Sequence, residues 1–324
     1  MLTNMGNISL PIAVWLAADD YDLVARPNVI SATGILKPIK CIVLTQTIEK
    51  TKLDADIDIQ DLIPSRLGTA IHNDIEHAWL NHRIQALTAM GVPKHIQDKI
   101  RVNPKEIDPD CHNIFIEQRV EKQLGDFTIS GKYDFVDDGR VKDVKSTGVY
   151  NWIHGGNDDK YAWQGSIYRW LDPKVITDDV MDVEYVFTDW KALDVKKEKN
   201  YPPIRVMTRT LPLKSLPETE HFLRTKTQAV ARYLGQAETS LPRCTPEEVW
   251  QRPTTWAYYK NPNITGRATK LFNNEHEALA RHGADGRVGR IETRLGKVKF
   301  CSYCPGRPIC QQAEGYVQQG LLEI

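Results

Sequence analysis

Alternation of apolar and polar residues is sharpest in the middle of the chain. Cys111 to Val120 (Cys-His-Asn-Ile-Phe-Ile-Glu-Gln-Arg-Val) and Asp126 to Val136 each read as a strand, and Arg140 to Lys145 as a third. Asp137-Asp138-Gly139 joins the last two and is a tight-turn signal flanked by alternating positions, so a hairpin is predicted and the three strands form a mostly antiparallel group. Helical spacing replaces alternation on either side. Ile71, Ile75, Ala78 and Trp79 mark one broad apolar face of a helix from about Arg66 to Met90, stopped by Gly91 and Pro93. A second helix is predicted from Asp159 to Trp170, ended by Pro173, and a third from Glu218 to Gly235 through Phe222, Ala229, Val230 and Leu234. Between them Val180–Asp189 and Ile204–Leu211 read as strands.

The flanks are less regular. An apolar piece spans Ile12 to Leu16, a capped turn opens at Ser31 and is interrupted at Pro38, and Glu49 to Asp61 reads as an acidic, solvated connector. Thr245-Pro-Glu-Glu-Val-Trp250 has the form of a helix start with proline at the first helical position. There is no internal repeat and no low-complexity segment.

At 324 residues, 41% apolar and 26% charged, the chain belongs with globular proteins that bury a large core. No apolar run reaches membrane-spanning length, and the amino terminus lacks a basic stretch followed by an apolar core, so a reducing, cytoplasmic setting without membrane association is expected. The 42 basic and 42 acidic residues cancel, which argues against non-specific coating of nucleic acid but leaves room for a local basic channel.

Asp143 and Lys145 are two apart in a strand and so share a face, with Asp134 on the neighbouring strand. Two carboxylates, a lysine and a nearby carbonyl suit a hard divalent cation such as magnesium or manganese placed against a phosphate. Cys301-x2-Cys304-x5-Cys310 supplies three thiolates in one short loop. These fit a tetrahedral zinc or an iron–sulfur cluster, either of which needs a fourth ligand from Cys41, Cys111, Cys244 or a histidine. Tyr150, Trp152, Tyr161, Trp256, Tyr258 and Tyr259, near Lys260, Arg267 and Lys270, are candidate stacking surfaces for a single strand. Gly266-Arg-Ala-Thr-Lys270 does not meet the phosphate-loop pattern, and His72, Glu76 and His77 do not have zinc-protease spacing.

Taken in order, these motifs resemble the PD-(D/E)XK nuclease superfamily, and more narrowly the RecB-like exonucleases and their iron–sulfur relatives: AddB nuclease domains, CRISPR adaptation nucleases and phage-encoded exonucleases. The resemblance runs from about Ser31 to Cys310. His72 in Gly68-Thr-Ala-Ile-His72 matches the helix histidine of the metal site. Glu117 falls where many members carry an acid, there to hold a second metal or its water. Asp134 in Gly131-Lys-Tyr-Asp134 matches the first core acid, and Asp143-Val-Lys145 the acid-x-lysine motif, with the Val144 carbonyl as a further metal ligand and Lys145 as the catalytic lysine. Gln164-x3-Tyr168 matches the glutamine–tyrosine helix motif. No proline precedes Asp134. Cys301, Cys304 and Cys310 match three ligands of a [4Fe–4S] cluster, and Cys41, upstream of the helix histidine, is where the resemblance implies the fourth.

The resemblance implies an α/β fold with a restriction-endonuclease-like core, a central mixed sheet flanked by helices. It is expected as a single domain over 1–324, with an N-terminal helical segment (31–110), a core sheet with the active site (111–215) and a C-terminal arm with the cysteines (216–324). The implied activity is divalent-metal-dependent hydrolysis of DNA, single-stranded or at duplex ends, by an exonuclease of recombination, repair or phage DNA processing. A recombination or replication protein is the expected partner, and a bacterial host cell the expected setting. The alternatives are an endonuclease, a DNA-binding accessory without catalysis, and a zinc-stabilised interaction protein.

Overall fold

The computed structural model describes residues 2–18, 26–48 and 57–322. In chain order its first elements are α1 (Leu10–Ala17), β1 (Val29–Ser31), α2 (Ile39–Thr47) and α3 (Ile63–His77), which passes through one wide π turn at Ala78–His82 into α4 (Arg83–Ala89). Next come α5 (Lys94–Gln97), β2 (Ile100–Val102), β3 (His112–Leu124), β4 (Phe127–Asp137), β5 (Arg140–Thr147), α6 (Val149–His154), α7 (Asp158–Leu171), β6 (Val180–Phe187), β7 (Val206–Pro212) and α8 (Leu216–Tyr233). The last are β8 (Thr255–Tyr259), β9 (Lys270–Phe272), α9 (Glu275–Ala284), β10 (Arg290–Arg294) and α10 (Gln311–Gln318). The chain divides into two compact units, Met1–Leu36 with Asp54–Ala231, and Lys37–Leu53 with Arg232–Ile324. That division cuts the expected 31–110 segment, placing Cys41 in the second unit and His72 in the first.

The first unit is built on a mixed sheet in the order β2-β3-β4-β5-β6-β7, with β1 pairing parallel to β4. β3, β4 and β5 are antiparallel neighbours as the alternation predicts, and Asp138 and Gly139 take the positive φ that the turn requires. β5 and β6 are parallel, which requires the crossover that α6 and α7 supply.

One edge of β4 is shared. Thr128–Ser130 pair with β1 and Phe135–Asp137 with β5, leaving 131–134 between the two registers. α7 comes down close to this gap. A Cβ at Gly131 would lie 2.6 Å from Leu171 Cδ1 and 3.0 Å from the Tyr168 ring, and one at Gly165 would lie 2.5 Å from Met181 Sδ, so two glycines set the depth at which α7 packs. On β3 and β4, Ile114, Ile116 and Phe135 pack with Trp79, whose ring centroid is 5.3 Å from that of Phe135.

The second unit has a three-stranded antiparallel sheet, β10-β8-β9, covered by α9. Its other core gathers Cys41, Val249, Val298, Phe300, Cys301, Ala313 and Leu322.

Several expectations change. The helix expected at Arg66 starts at Ile63, with Pro64 in its first turn, and Ala78 is exposed rather than on the apolar face. Pro38 precedes α2 instead of interrupting a helix, while the capped turn before it is present, with Gly34 N donating to Ser31 Oγ at 3.0 Å. Most of the acidic connector lies outside the described residues. At its end Asp58 is buried, not solvated, accepting from Met5 N at 2.7 Å and Gln60 N at 3.1 Å. Thr245 and Glu248 form a reciprocal cap (3.2 and 2.9 Å), but it closes a turn and no helix follows. The aromatic platform is overturned. Tyr258 is 0% exposed in the core of the small sheet, Tyr259 is 2% exposed under Arg290 and Arg294, and Trp152 packs edge-on against Tyr185 with Arg209 over its ring, so of these residues only Tyr150 stands well exposed.

Candidate functional site

The site forms where β4 and β5 part. Their pairing covers 135–142, 136–141 and 137–140 and stops there, so Asp134 and Asp143, next in register, sit where the strands begin to separate. Val144 N donates to Asp134 Oδ2 at 3.0 Å across the opening. Glu117 is next in register to Asp134 on the other side, between the pairs Ile116–Phe135 and Gln118–Tyr133. It has φ of 52°, a left-handed conformation that costs a non-glycine residue on the order of 1 kcal/mol and is found at functional sites. Asn103 holds the chain just before it, its Oδ1 accepting from Ile116 N at 2.8 Å.

α3 brings His72 over this gap. His72 Nδ1 is 3.6 Å from both Glu117 Oε1 and Asp134 Oδ1, and Nε2 is 3.2 Å from the Val144 carbonyl. In the imidazolium form Nε2–H can donate to that carbonyl while Nδ1–H faces the two carboxylates, and loss of the Nδ1 proton would turn a lone pair toward them. His72, Glu117 and Asp134 offer ligand atoms that lie within 4.8 Å of one another, a nitrogen and two oxygens able to hold a divalent cation. Val144 O keeps one further lone pair.

Asp143 is 1% exposed. Its Oδ1 accepts from Gln164 Nε2 at 2.9 Å, and Gln164 also donates to Tyr168 Oη at 3.0 Å, so the glutamine and tyrosine of α7 reach the carboxylate as one hydrogen-bonded unit. Asp143 Oδ2 pairs with the Lys145 ammonium, whose Nζ lies 2.6 Å away. Two lysines thus flank the acids, Lys145 at Asp143 and Lys132 at 2.7 Å from Glu117 Oε2. With Asp134 deprotonated and His72 neutral, three carboxylates against two ammonium groups leave one net negative charge for a divalent ion.

Protonation follows from this packing. Burial, reinforced by the charge of Asp143, pushes Asp134 up to about 7. The hydrogen bond to Glu117 holds His72 above its usual value against the effect of burial. For Glu117, burial works upward, yet the bonds to His72 and Lys132 outweigh it and the carboxyl lies below its ordinary value. Burial would lower Lys145, but the carboxylates of Asp143 and Asp134 outweigh it and raise the ammonium above the usual lysine range. Lys145 is therefore a standing cation and donor, not a base. Its Nζ also lies 5.5 Å from the Tyr161 ring centroid.

All of the candidates drawn from the core motifs, His72, Glu117, Asp134, Asp143, Val144, Lys145, Gln164 and Tyr168, come together here. Lys132 was not singled out from the sequence, although two residues from Asp134 in one strand put it on the same face. Tyr161 was singled out as a stacking surface, and the structure places it against the lysine instead.

The second candidate site is separate in sequence and built within the second unit. Cys41, Cys244, Cys301, Cys304 and Cys310 line one small cavity with Lys40, Leu44, Val249, Phe300, Arg307, Gln312 and Ala313. Cys304 Sγ donates to Cys41 Sγ at 3.0 Å, which lowers the Cys41 thiol; burial raises Cys301 to about 11. Cys111 lies in the first unit, where its thiol bonds to Asp108.

No family model matches the chain, and no curated protein sequence matches it. Among solved structures it is similar to SSO0001, with a TM-score of 0.38 and 13% identity over 64% of this chain and 78% of that one. It is also similar to a phage-related exonuclease from Haemophilus somnus 129PT, with a TM-score of 0.24 and 18% identity over 36% of this chain and 57% of that one. Both likenesses are partial, so the functional reading rests on the chemistry of the two sites.

Proposed function

We propose that this chain is a divalent-metal-dependent deoxyribonuclease that hydrolyses phosphodiester bonds from a DNA end. The observation that carries the reading is the meeting of His72, Glu117 and Asp134, three ligands within 4.8 Å, beside a buried Asp143 that is paired with a protonated Lys145. Burying the Asp143 carboxylate beside a half-buried Lys145 is not a ready outcome of chance, because a buried charge is costly without its partner.

In this reading His72, Glu117 and Asp134, with Asp143 and the Val144 carbonyl, are the metal ligands. Bound magnesium or manganese would polarise a phosphate oxygen and lower the pKa of a coordinated water. Hydrolysis joins the water oxygen to phosphorus and breaks the bond to the departing sugar oxygen, which takes up a proton. Lys145, charged throughout, donates to the phosphate oxygen or the attacking water and offsets negative charge as it grows in the transition state. Gln164 fixes the Asp143 carboxylate, and Tyr168 fixes Gln164. Lys132 holds Glu117 in its left-handed turn with one oxygen toward His72.

The same reading assigns a structural [4Fe–4S] cluster to the cysteine cavity, with zinc as the alternative.

The test is degradation of end-labelled linear DNA against covalently closed circular DNA with magnesium or manganese, by wild type and Lys145→Ala. Loss of linear DNA alone, abolished by the substitution, is the expected result. Cleavage of circles would make the protein an endonuclease, and no metal-dependent cleavage of any DNA would sink the catalytic reading in favour of a DNA-binding accessory.

A further inference from the structure

Lys145 has to keep its charge and its free N–H groups while staying in one place. An ammonium has three donors, and Asp143 Oδ2 at 2.6 Å takes one of them. The four-carbon stem that carries the ammonium is flexible and sets no direction of its own. Another carboxylate here would hold the ammonium but cancel its charge, and a carbonyl would use up a second donor. An aromatic face does neither, because it attracts the charge through the ring quadrupole and leaves the N–H groups to other acceptors.

We propose that Tyr161 is the positioning residue of Lys145, and that it works through its ring rather than its hydroxyl. The proposal rests on the nuclease reading and names the group that keeps the lysine in place for it. Lys145 Nζ lies over the Tyr161 ring, 5.5 Å from its centroid, inside the roughly 6 Å reach of a cation–π contact. Tyr161 is half-buried and its hydroxyl is engaged with the Asn157 side chain one turn earlier, which leaves the ring as the part that meets the lysine. Tyr161, Gln164 and Tyr168 are three and four residues apart and share one face of α7. From that face Gln164 serves Asp143, and Tyr161 serves the lysine paired with it.

The ring is itself held from the sheet. On β6, Tyr185 lies in register with Lys145 and is 2% exposed, so the lysine has a buried aromatic neighbour on that strand too. On β7, Arg209 is in register with Val183, which is the partner of Asp143, and so belongs to the same row across the sheet. Arg209 Nη1 donates to Asp158 Oδ1 at 3.0 Å and Oδ2 at 3.1 Å, and Nη2 donates to the Trp152 carbonyl at 2.7 Å. Asp158 opens α7 three residues before Tyr161. The end of α6 and the first turn of α7 are thereby tied to β7, which fixes where the Tyr161 ring stands relative to Lys145.

The experiment compares wild type, Tyr161→Leu and Tyr161→Phe by kcat and KM on end-labelled linear DNA and by manganese affinity. NMR of protein carrying 13C-labelled lysine adds a direct readout, the Lys145 signal being the one missing from Lys145→Ala. Tyr161→Leu is expected to lower kcat by about 5- to 30-fold, the range of a partly desolvated cation–π contact, with KM and manganese affinity within about twofold of wild type. Tyr161→Phe keeps the ring and is expected to recover most of that loss. The Lys145 side-chain protons are expected to show an upfield ring-current shift in wild type and Tyr161→Phe and to lose it in Tyr161→Leu. Equal loss of kcat in the two variants would assign the effect to the hydroxyl and overturn the proposal. So would an unchanged kcat in Tyr161→Leu, a parallel fall in its manganese affinity, or the absence of the shift in wild type. If Tyr161→Leu does not fold, the wild-type shift and the Tyr161→Phe rate decide, and the proposal needs both. A wild type that cleaves no DNA removes the nuclease reading and this role together, whereas a cleaving wild type with an insensitive Tyr161→Leu removes this role alone.

Discussion

Replacing Gln164 by methionine keeps the length of the side chain and removes its amide. The amide donates to Asp143 Oδ1 at 2.9 Å, and the other Asp143 oxygen pairs with Lys145 Nζ at 2.6 Å. The substitution therefore leaves a carboxylate that is 1% exposed without its hydrogen bond, keeping only the charge of Lys145. A hydrogen bond to a charged group contributes about 1.5–3 kcal/mol, and the loss belongs at the upper end because the orphaned oxygen is buried. For a unit of about 200 residues each kcal/mol moves the melting midpoint by about 2–4 °C, so Gln164→Met is expected to lower it by about 4–12 °C. Scanning calorimetry with EDTA, and again with excess manganese, reads this directly. The deficit is expected to shrink with manganese, because a cation at the Asp143 carboxylate replaces the missing donor. A midpoint within about 1 °C of wild type in EDTA would refute the view that Gln164 secures Asp143, and an equal deficit with and without manganese would refute Asp143 as a ligand.

Metal affinity should depend on pH with a definite sign. The folded Asp134 carboxyl titrates near 7 against 3.8 ordinarily, so its contribution to stability is complete below about 4 and is lost as pH rises through 7. A metal must displace that proton and the one that His72 holds more tightly than usual, so manganese affinity is expected to rise by more than about tenfold per pH unit through the acidic range and to level only once both are lost, and a flat profile by calorimetric titration would contradict the assignment. Lys145→Ala is expected to lower cleavage by at least about 100-fold while manganese still binds, since it removes a transition-state donor and not a ligand; parallel loss of both would make Lys145 structural. Gly131→Ala would drive a methyl to 2.6 Å from Leu171 and 3.0 Å from Tyr168. It should cost about 1–3 kcal/mol in urea unfolding and lift α7 from the sheet, and an unchanged midpoint would show that the packing has slack.

The core of the site was legible because strand chemistry is local. Alternation fixed which residues of β3, β4 and β5 share a face, and the Asp-Asp-Gly turn fixed the hairpin register, so Asp134, Asp143 and Lys145 were placed before any tertiary contact was known. The left-handed turn at Glu117 was not legible: nothing in Ile-Phe-Ile-Glu-Gln marks it, and it depends on Asn103, which reaches across from outside the strand. The aromatics of β8 misled because Tyr258 and Tyr259 beside Lys260 are compatible with a stacking surface or a sheet core. The strands that decide, β9 and β10, join β8 through pairings that local sequence does not announce. The five-thiol cavity had the same obstacle. Its members come from 41, 244 and 301–310, and only the fold brings the five together.

The central claim is that His72, Glu117 and Asp134 hold a divalent cation. The most direct measurement is manganese binding by electron paramagnetic resonance on wild type and Asp134→Asn near pH 7.5, with no DNA present. The account expects saturable binding by the wild type and a loss of about tenfold or more in the variant. Equal affinity in the two proteins, or no binding by the wild type, would contradict it.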